Sequence, residues 1–232
     1  MEIIDTDKIK GPKSFFVSDL HFGHQNILHF HKERRDAIGV SFEELKEDPK
    51  SAVLKHDEWL IGLWNETISN KDDVYYLGDF CFGNEQNAEA ILKRLNGKKH
   101  LIIGNHDKPL RNLGQYFEWT GQIREVKFTN DLYPYLNSTL CLEMCHYPMV
   151  AWNRRTHGTV MVHGHTHGAV NGINKESGEL RIDVGFDATG HKILELRDLY
   201  GEIVDIVNRN HPESETLQDY IKWKMDKDGI KY

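Results

Sequence analysis

Short apolar runs that stop abruptly at polar residues punctuate the first half of the chain. Residues 14–18 (SFFVS) run into Asp19-Leu20-His21 and read as a buried strand. A second strand is predicted at residues 74–77 (VYYL), ending in Gly78-Asp79, and a third at residues 101–103, ending in Gly104-Asn105-His106-Asp107. A polar, His-containing stretch fills residues 22–49. Beyond it, Val53, Leu60, Trp64 and Ile68, with Leu63 beside them, recur at helical spacing and predict an amphipathic helix over residues 50–69. Residues 85–95 predict another helix, closed by Asn96-Gly97.

The second half reads mostly as strand, at residues 139–144, 159–162, 180–184 and 192–196, with a last strand at 203–207. Helical patterning returns only at residues 213–225, where Leu217, Tyr220, Ile221 and Met225 form one face that predicts docking on the same domain. Strand and helix alternate first and strands dominate later, which is the pattern of a layered α/β domain. With no repeat, low-complexity tract or linker, residues 1–232 are read as one domain.

Composition narrows the class. No apolar run approaches the roughly 18 residues of a membrane span, and the N-terminal MEIIDTDKIKGPK lacks the apolar core of a secretory signal, so a cytoplasmic protein is expected. Lys and Arg number 29 against 36 Asp and Glu, a net charge of −7, which is the wrong sign for gripping nucleic acid by a general field. Cys81, Cys141 and Cys145 are odd in number and show no CxxC spacing, so neither a disulfide framework nor a structural zinc finger is expected. Reduced, partly buried thiols are.

The 14 histidines change the picture, because several stand at strand ends. Open α/β sheets place their sites beyond the carboxyl ends of strands. Asp19 and His21 are two apart on an extended backbone and can project to one side. The same holds for His165 and His167 in His163-Gly164-His165-Thr166-His167, and His146 follows the run CLEMC just before Tyr147-Pro148. Asp, Asn and imidazole make a mixed oxygen and nitrogen donor set, suited to Mn, Fe, Zn or Ni rather than to calcium or to all-thiolate sites.

Taken in order, Asp19-Leu20-His21, Gly78-Asp79, Gly104-Asn105-His106-Asp107, His146 and Gly164-His165-Thr166-His167 resemble the calcineurin-like metallophosphoesterase superfamily. FVSDLHFGHQNIL and His146-Tyr147-Pro148 look like a compact prokaryotic or phage branch of it. The matched segments lie within residues 19–167, and the last 65 or so residues add no signature. The resemblance implies a four-layer αββα sandwich, two mixed sheets flanked by helices. It implies a two-metal site as well, manganese favoured, with Asp19, His21 and His167 on one ion, Asn105, His146 and His165 on the other, and Asp79 shared. Two divalent ions less two carboxylates and a bridging hydroxide would leave about one positive charge to attract a phosphate ester. His106 is implied to stand against the leaving group, and Asp107 is expected to orient it by a hydrogen bond.

The implied activity is hydrolysis of a phosphoester, diesters ahead of monoesters, by attack of a metal-bridging hydroxide. The substrate would be a small phosphoester, nucleotides among the candidates, and the protein a monomer or homodimer without a strong nucleic-acid footprint. A nuclease acting on short nucleic acid or cyclic nucleotides and a catalytically silent metal-bound scaffold are the competing readings. His24, Arg154 and Arg155 are candidate substrate contacts, although a solvated arginine pair is the plainer reading of the last two and of Arg34-Arg35. Many members of the superfamily carry a further acidic or polar residue three positions after Gly-Asp. Phe82 stands there in this chain, so Phe80 and Phe82 are expected to wall the pocket. The stretch 22–49 is expected to shape substrate entry, so that trimming residues 31–39 would alter specificity more than metal content.

Overall fold

In β1 (Ser14–Val17), Phe15 and Val17 point to one face of a sheet and Phe16 to the other, as the two-residue period of a strand requires. The computed structural model describes residue 1 and residues 12–230; the remainder of the N-terminal segment, read above as lacking a signal, lies outside the described residues. After β1 come three short helices, α1 (Gln25–Phe30), α2 (Lys32–Ala37) and α3 (Phe42–Glu47), then the long α4 (Pro49–Thr67) and β2 (Asp73–Tyr76). The chain continues through α5 (Glu85–Leu92), β3 (Lys98–Ile102), β4 (Trp119–Gly121), β5 (Ile123–Phe128), β6 (Leu140–Cys145) and β7 (Val160–His163). It closes with α6 (Asn171–Ser177), β8 (Arg181–Asp183), β9 (Leu194–Glu195), α7 (Leu196–Asn210) and α8 (Leu217–Asp228).

Two mixed sheets result, flanked by helices. The first has the order β4-β3-β2-β1-β9 and is parallel except for β9; the second has the order β5-β6-β7-β8 and is parallel except for β5. Phe15, Val17, Val74, Tyr76 and Leu101 face Leu60, Trp64 and Ile68 of the α4 region and Ala88 and Leu92 of α5. Phe16, Tyr75, Leu77 and Ile102 face Leu142, Met144, Val160, Val162 and Ile182 of the second sheet. Burial on both faces is why these strands read as unbroken apolar runs. Trp152 and Met149 cover Cys145 and Met161 on the other side of the second sheet.

Parallel pairing sets the chemistry in one place. The carboxyl ends of β1, β2 and β3 share an edge, and so do those of β6 and β7. Ser18 joins the two edges: its N–H donates to Val184 O at 3.1 Å, and its carbonyl accepts from Phe186 N at 2.9 Å.

Several elements differ from expectation. Residues 203–207 are not a strand but the middle of α7, where Leu199, Tyr200, Ile203, Val204, Ile206 and Val207 form a buried helical face behind a Glu195–Asp198 capping box. The helix predicted from residue 213 begins at Leu217, where Thr216 supplies the cap. The second half therefore carries more helix than its β-branched content suggests. The polar stretch 22–49 holds three helices of its own, with Leu28, Leu45 and Ala52 in a small separate core. All four apolar residues of the α8 face are buried in the domain. Among the described residues, no helix is long and apolar enough to cross a membrane.

Candidate metal centre

Five loops meet above the shared strand ends and are stitched into a ring. Asp19 N donates to Gly78 O at 3.0 Å and His21 N to Asp79 O at 3.2 Å, tying the β1 loop to the β2 loop. Asp107 ties the β2 loop to the β3 loop, its carboxylate accepting from Asp79 N, Phe80 N and Gly104 N at 3.0, 2.8 and 2.7 Å. Gly164 N donates to His146 O at 3.0 Å, His165 N donates to Asp19 Oδ2 at 2.9 Å, and Tyr147 Oη donates to Asn105 Oδ1 at 3.4 Å, closing the ring. The approach is so close that a Cβ at Gly164 would strike Ser18 and the Asp19 carboxylate, and one at Gly104 would strike Asp79.

The turns are sharp. Among the described residues, seven that are not glycine have positive φ, and five of them are predicted ligands: Asp19 (59°), His21 (55°), Asp79 (58°), His165 (68°) and His167 (47°). Such conformations disfavour side chains with a Cβ and concentrate at functional sites.

The ring brings all seven predicted ligands together. Asp19, His21 and His167 form one group and Asp79, His146 and His165 another, with the donor atoms in each lying within 4.8 Å of one another. Asp79 spans the two: its Oδ2 is 3.9 Å from His21 Nε2 and its Oδ1 is 3.5 Å from His146 Nε2. Asn105 Oδ1 lies 3.2 Å from His146 Nε2.

Proton placement tests whether cations fit here. A carbonyl only accepts, so the 2.7 Å contact of His146 Nδ1 with Leu77 O puts the imidazole proton on Nδ1. Burial holds the His146 pKa below its ordinary value, so Nε2 presents a lone pair to Asn105 Oδ1 and Asp79 Oδ1. Three acceptors then converge, which suits a cation. On the other side Asp19 Oδ1 and both ring nitrogens of His21 are buried without a hydrogen-bond partner. Burial pushes the Asp19 carboxyl up to about 7 despite nearby His167, and burial with nearby Arg34 keeps His21 neutral. A carboxyl that resists ionisation at Asp19, with neutral imidazoles at His21 and His146, makes a donor set that divalent ions would satisfy.

His106 stands at the rim with 43% of its side chain exposed and Nε2 3.9 Å from Asp79 Oδ2; its backbone N–H is fixed on Asp79 Oδ1 at 2.9 Å. Asp107 corrects one expectation. Its oxygens accept the three backbone N–H groups named above, so it builds the loops rather than orienting the His106 ring. Phe80 corrects another: it is 1% exposed and packs on Phe22 and Tyr76 in the core, leaving Phe82 alone as the wall. His24 stacks on Phe82 with centroids 3.6 Å apart, and His106 lies 4.4 Å from the same ring. Burial and the neighbouring His106 lower the His24 pKa to about 4.

The arginines fall out differently from their sequence reading. Arg155 is held by Glu179 at 2.6 Å over Trp152, and Arg154 is exposed in a left-handed turn, so neither joins the ligand ring. Arg34, read as a solvated residue, is instead fully buried, donating to Asp187 and to the carbonyls of Asp19 and Leu20. Asp187 holds His167 Nδ1 at 2.6 Å. Asp187 follows β8 by four residues, so the strand-end rule that located the other loops would also have pointed to it. The thiols of Cys81 and Cys145 are free and buried, and burial pushes Cys81 up to about 12.

No family model matches the chain. The Gene 66 protein of Mycobacterium phage L5 is 28% identical over 223 residues, covering 86% of this chain and 96% of that protein. The Gene 66 protein of Mycobacterium phage D29 is 27% identical over 215 residues, covering 83% and 96%. An uncharacterised protein of Methanocaldococcus jannaschii is 34% identical over 98 residues, 41% of this chain and 47% of that one. The crystal structure of a protein of unknown function from Aquifex aeolicus aligns with a TM-score of 0.57 at 21% identity, covering 83% of this chain and 100% of that one. At that identity the likeness speaks for a shared fold alone.

Proposed function

We propose that this chain is a two-metal phosphoesterase of the calcineurin-like superfamily, its two sheets forming that superfamily's four-layer sandwich, and that it hydrolyses phosphodiesters ahead of monoesters. The convergence of seven oxygen and nitrogen donors from five separate loops around Asp79 carries the reading. Asp19, His21 and His167 would hold one ion, and Asn105, His146 and His165 the other, with one Asp79 oxygen toward each. Two divalent ions about 3.5–4 Å apart, manganese the favoured choice, would polarise phosphate oxygens and lower the pKa of water.

The rest is done by side chains. As the oxygen of water forms the new bond to phosphorus, the bond to the ester oxygen breaks and that oxygen needs a proton. His106 is placed to give it, exposed on the solvent side of Asp79 with its backbone pinned. An alkoxide leaving group gains most from that proton, in diesters and monoesters alike; placing diesters first rests on the likeness of FVSDLHFGHQNIL and His146-Tyr147-Pro148 to the compact branch. Beside His106 an open cleft of about 400 Å³, lined by Phe82, Glu85, Asn105 and Lys108, has room for the leaving group.

The test pairs elemental analysis of the purified protein with hydrolysis of bis(p-nitrophenyl) phosphate and p-nitrophenyl phosphate under Mn, Fe, Zn and Ni. The expected result is about two divalent ions per chain and faster turnover of the diester. A metal-free protein that hydrolyses neither compound after loading would overturn the reading.

A further inference from the structure

We propose that Arg34 and Asp187 are positioning residues of the metal centre, so that the helical insert α1–α3 is a structural part of the site and not only a cover over it. The inference rests on the two-metal reading.

Arg34 lies on α2, and its side chain is 0% exposed. A guanidinium is costly to bury unless its donors are all spent, and here the five N–H groups are. Nε and Nη2 grip the two oxygens of Asp187, each at 2.8 Å, in the bidentate fork that carboxylates favour. Nη2 also donates to Asp19 O at 2.7 Å, and Nη1 donates to Leu20 O at 2.8 Å and faces His56 Nε2 at 3.3 Å. The two carbonyls belong to the left-handed turn that aims Asp19 and His21. The carboxylate belongs to the residue that takes His167 Nδ1 at 2.6 Å. One buried side chain therefore braces the supports of all three ligands in that half of the centre.

The direction of these bonds gives the pair its task. Asp187 accepts, so a neutral His167 keeps its proton on Nδ1 and has Nε2 as its donor atom for an ion. His31 Nδ1 at 3.4 Å and His191 Nε2 at 3.5 Å also face Asp187 Oδ1. His31, His167 and Asp187 could themselves be taken for a metal group. The Arg34 guanidinium already supplies the positive charge there. On its far side, buried His56 lies 3.7 Å from Asp57 Oδ1, which accepts Gly23 N at 2.9 Å, so the brace reaches α4. Trimming residues 31–39 would remove Arg34, and the expectation that specificity changes before metal content is reversed.

The experiment uses the full chain and compares wild type with Asp187→Asn, Arg34→Gln, Arg34→Lys and the Arg34→Gln/Asp187→Asn double variant. Lys32→Ala is the control, an exposed residue on the same helix. Mn²⁺ binding is followed by electron paramagnetic resonance, and the imidazole tautomer of His167 by ¹⁵N chemical shifts in metal-free protein. Asp187→Asn and Arg34→Gln should weaken one of two Mn²⁺ sites by about 10–100-fold and mix the His167 tautomers. Arg34→Lys should restore part of both readouts, and Lys32→Ala should change neither.

Should a single variant not fold, the double variant, which strands no charge, decides by the same readouts. Folded variants that bind two Mn²⁺ with wild-type affinity and keep the Nδ1–H tautomer would overturn the proposal. A wild type that binds no Mn²⁺ would instead remove the two-metal reading, and the tautomer of the variants would still judge whether Asp187 positions His167.

Discussion

The two halves of the candidate metal centre are built by different means. Around Asp19, His21 and His167 the support comes from far away in sequence: Arg34 on the insert and Asp187 after β8 meet across 153 residues. Asp19 and His21 are 0% and 3% exposed. Around His146, His165 and Asn105 the support comes from a main-chain carbonyl and a rim tyrosine rather than from a buried ion pair. His146 leans on the Leu77 carbonyl, His165 and Asn105 are exposed, and Tyr147, 45% exposed, donates to Asn105 Oδ1 at 3.4 Å. On the proposed reading the closed half would hold an ion and the open half would meet solvent and substrate. Asp79 belongs to both, and removing it should erase the difference.

The largest effect is therefore expected of Asp79→Asn. Both ions should lose affinity together and diester turnover should fall by about 10³-fold or more, since charge stabilisation by the metals is worth several kcal/mol. Calorimetric titration with Mn²⁺ checks this; retention of two tight sites would break the account of a shared carboxylate.

His106→Ala should leave both sites filled and lower kcat by about 10²–10³-fold, most for poor leaving groups. If kcat drops equally for p-nitrophenyl and alkyl esters, His106 does not protonate the leaving oxygen.

Chelation should separate the halves. With EDTA, one ion per chain is expected to leave at least about tenfold faster than the other, and Asp187→Asn should bring the two rates together. Acid acts on both. Protons compete for the Asp19 carboxylate at about 7 and, because burial lowers its pKa, for the His146 lone pair only below the ordinary imidazole range. Mn²⁺ occupancy should therefore decline as pH falls from 8 towards 5 and recover on raising it. Equilibrium dialysis between pH 5 and 8 measures this, and a flat profile would contradict imidazole ligation.

The smallest effect belongs to Phe82→Ala. Losing its stack with His24 and its contact with His106 should cost about 1 kcal/mol of stability and a few-fold in kcat/KM, with metal content unchanged. Thermal unfolding and steady-state kinetics read both numbers.

The strands and ligands of the site were legible because each apolar run stops at its functional residue, and parallel pairing puts those stops along one edge. That rule marked Asp19, Asp79 and Asn105 as polar stops, and their assignment as ligands came from the resemblance to the superfamily. Arg34 was not legible: nothing in KERRDA separates a fully buried arginine from its half-buried neighbour Arg35, which lies over Phe42, until Asp187 is folded against it. The β-branched run at 203–207 pointed to a strand. Tertiary packing of positions 199, 200, 203, 204, 206 and 207 made it a helix, an override of propensity by burial. Strand β5 escaped notice because it lies at a sheet edge with only Phe128 buried, so its pattern is mostly polar. The insert helices are six residues each, too short for periodicity to register.

A crystal grown with Mn²⁺ and measured at the manganese absorption edge addresses the central claim without recourse to activity. The account predicts two anomalous peaks about 3.5–4 Å apart, with the Asp79 carboxylate between them. A single peak, or peaks remote from Asp79, would contradict it.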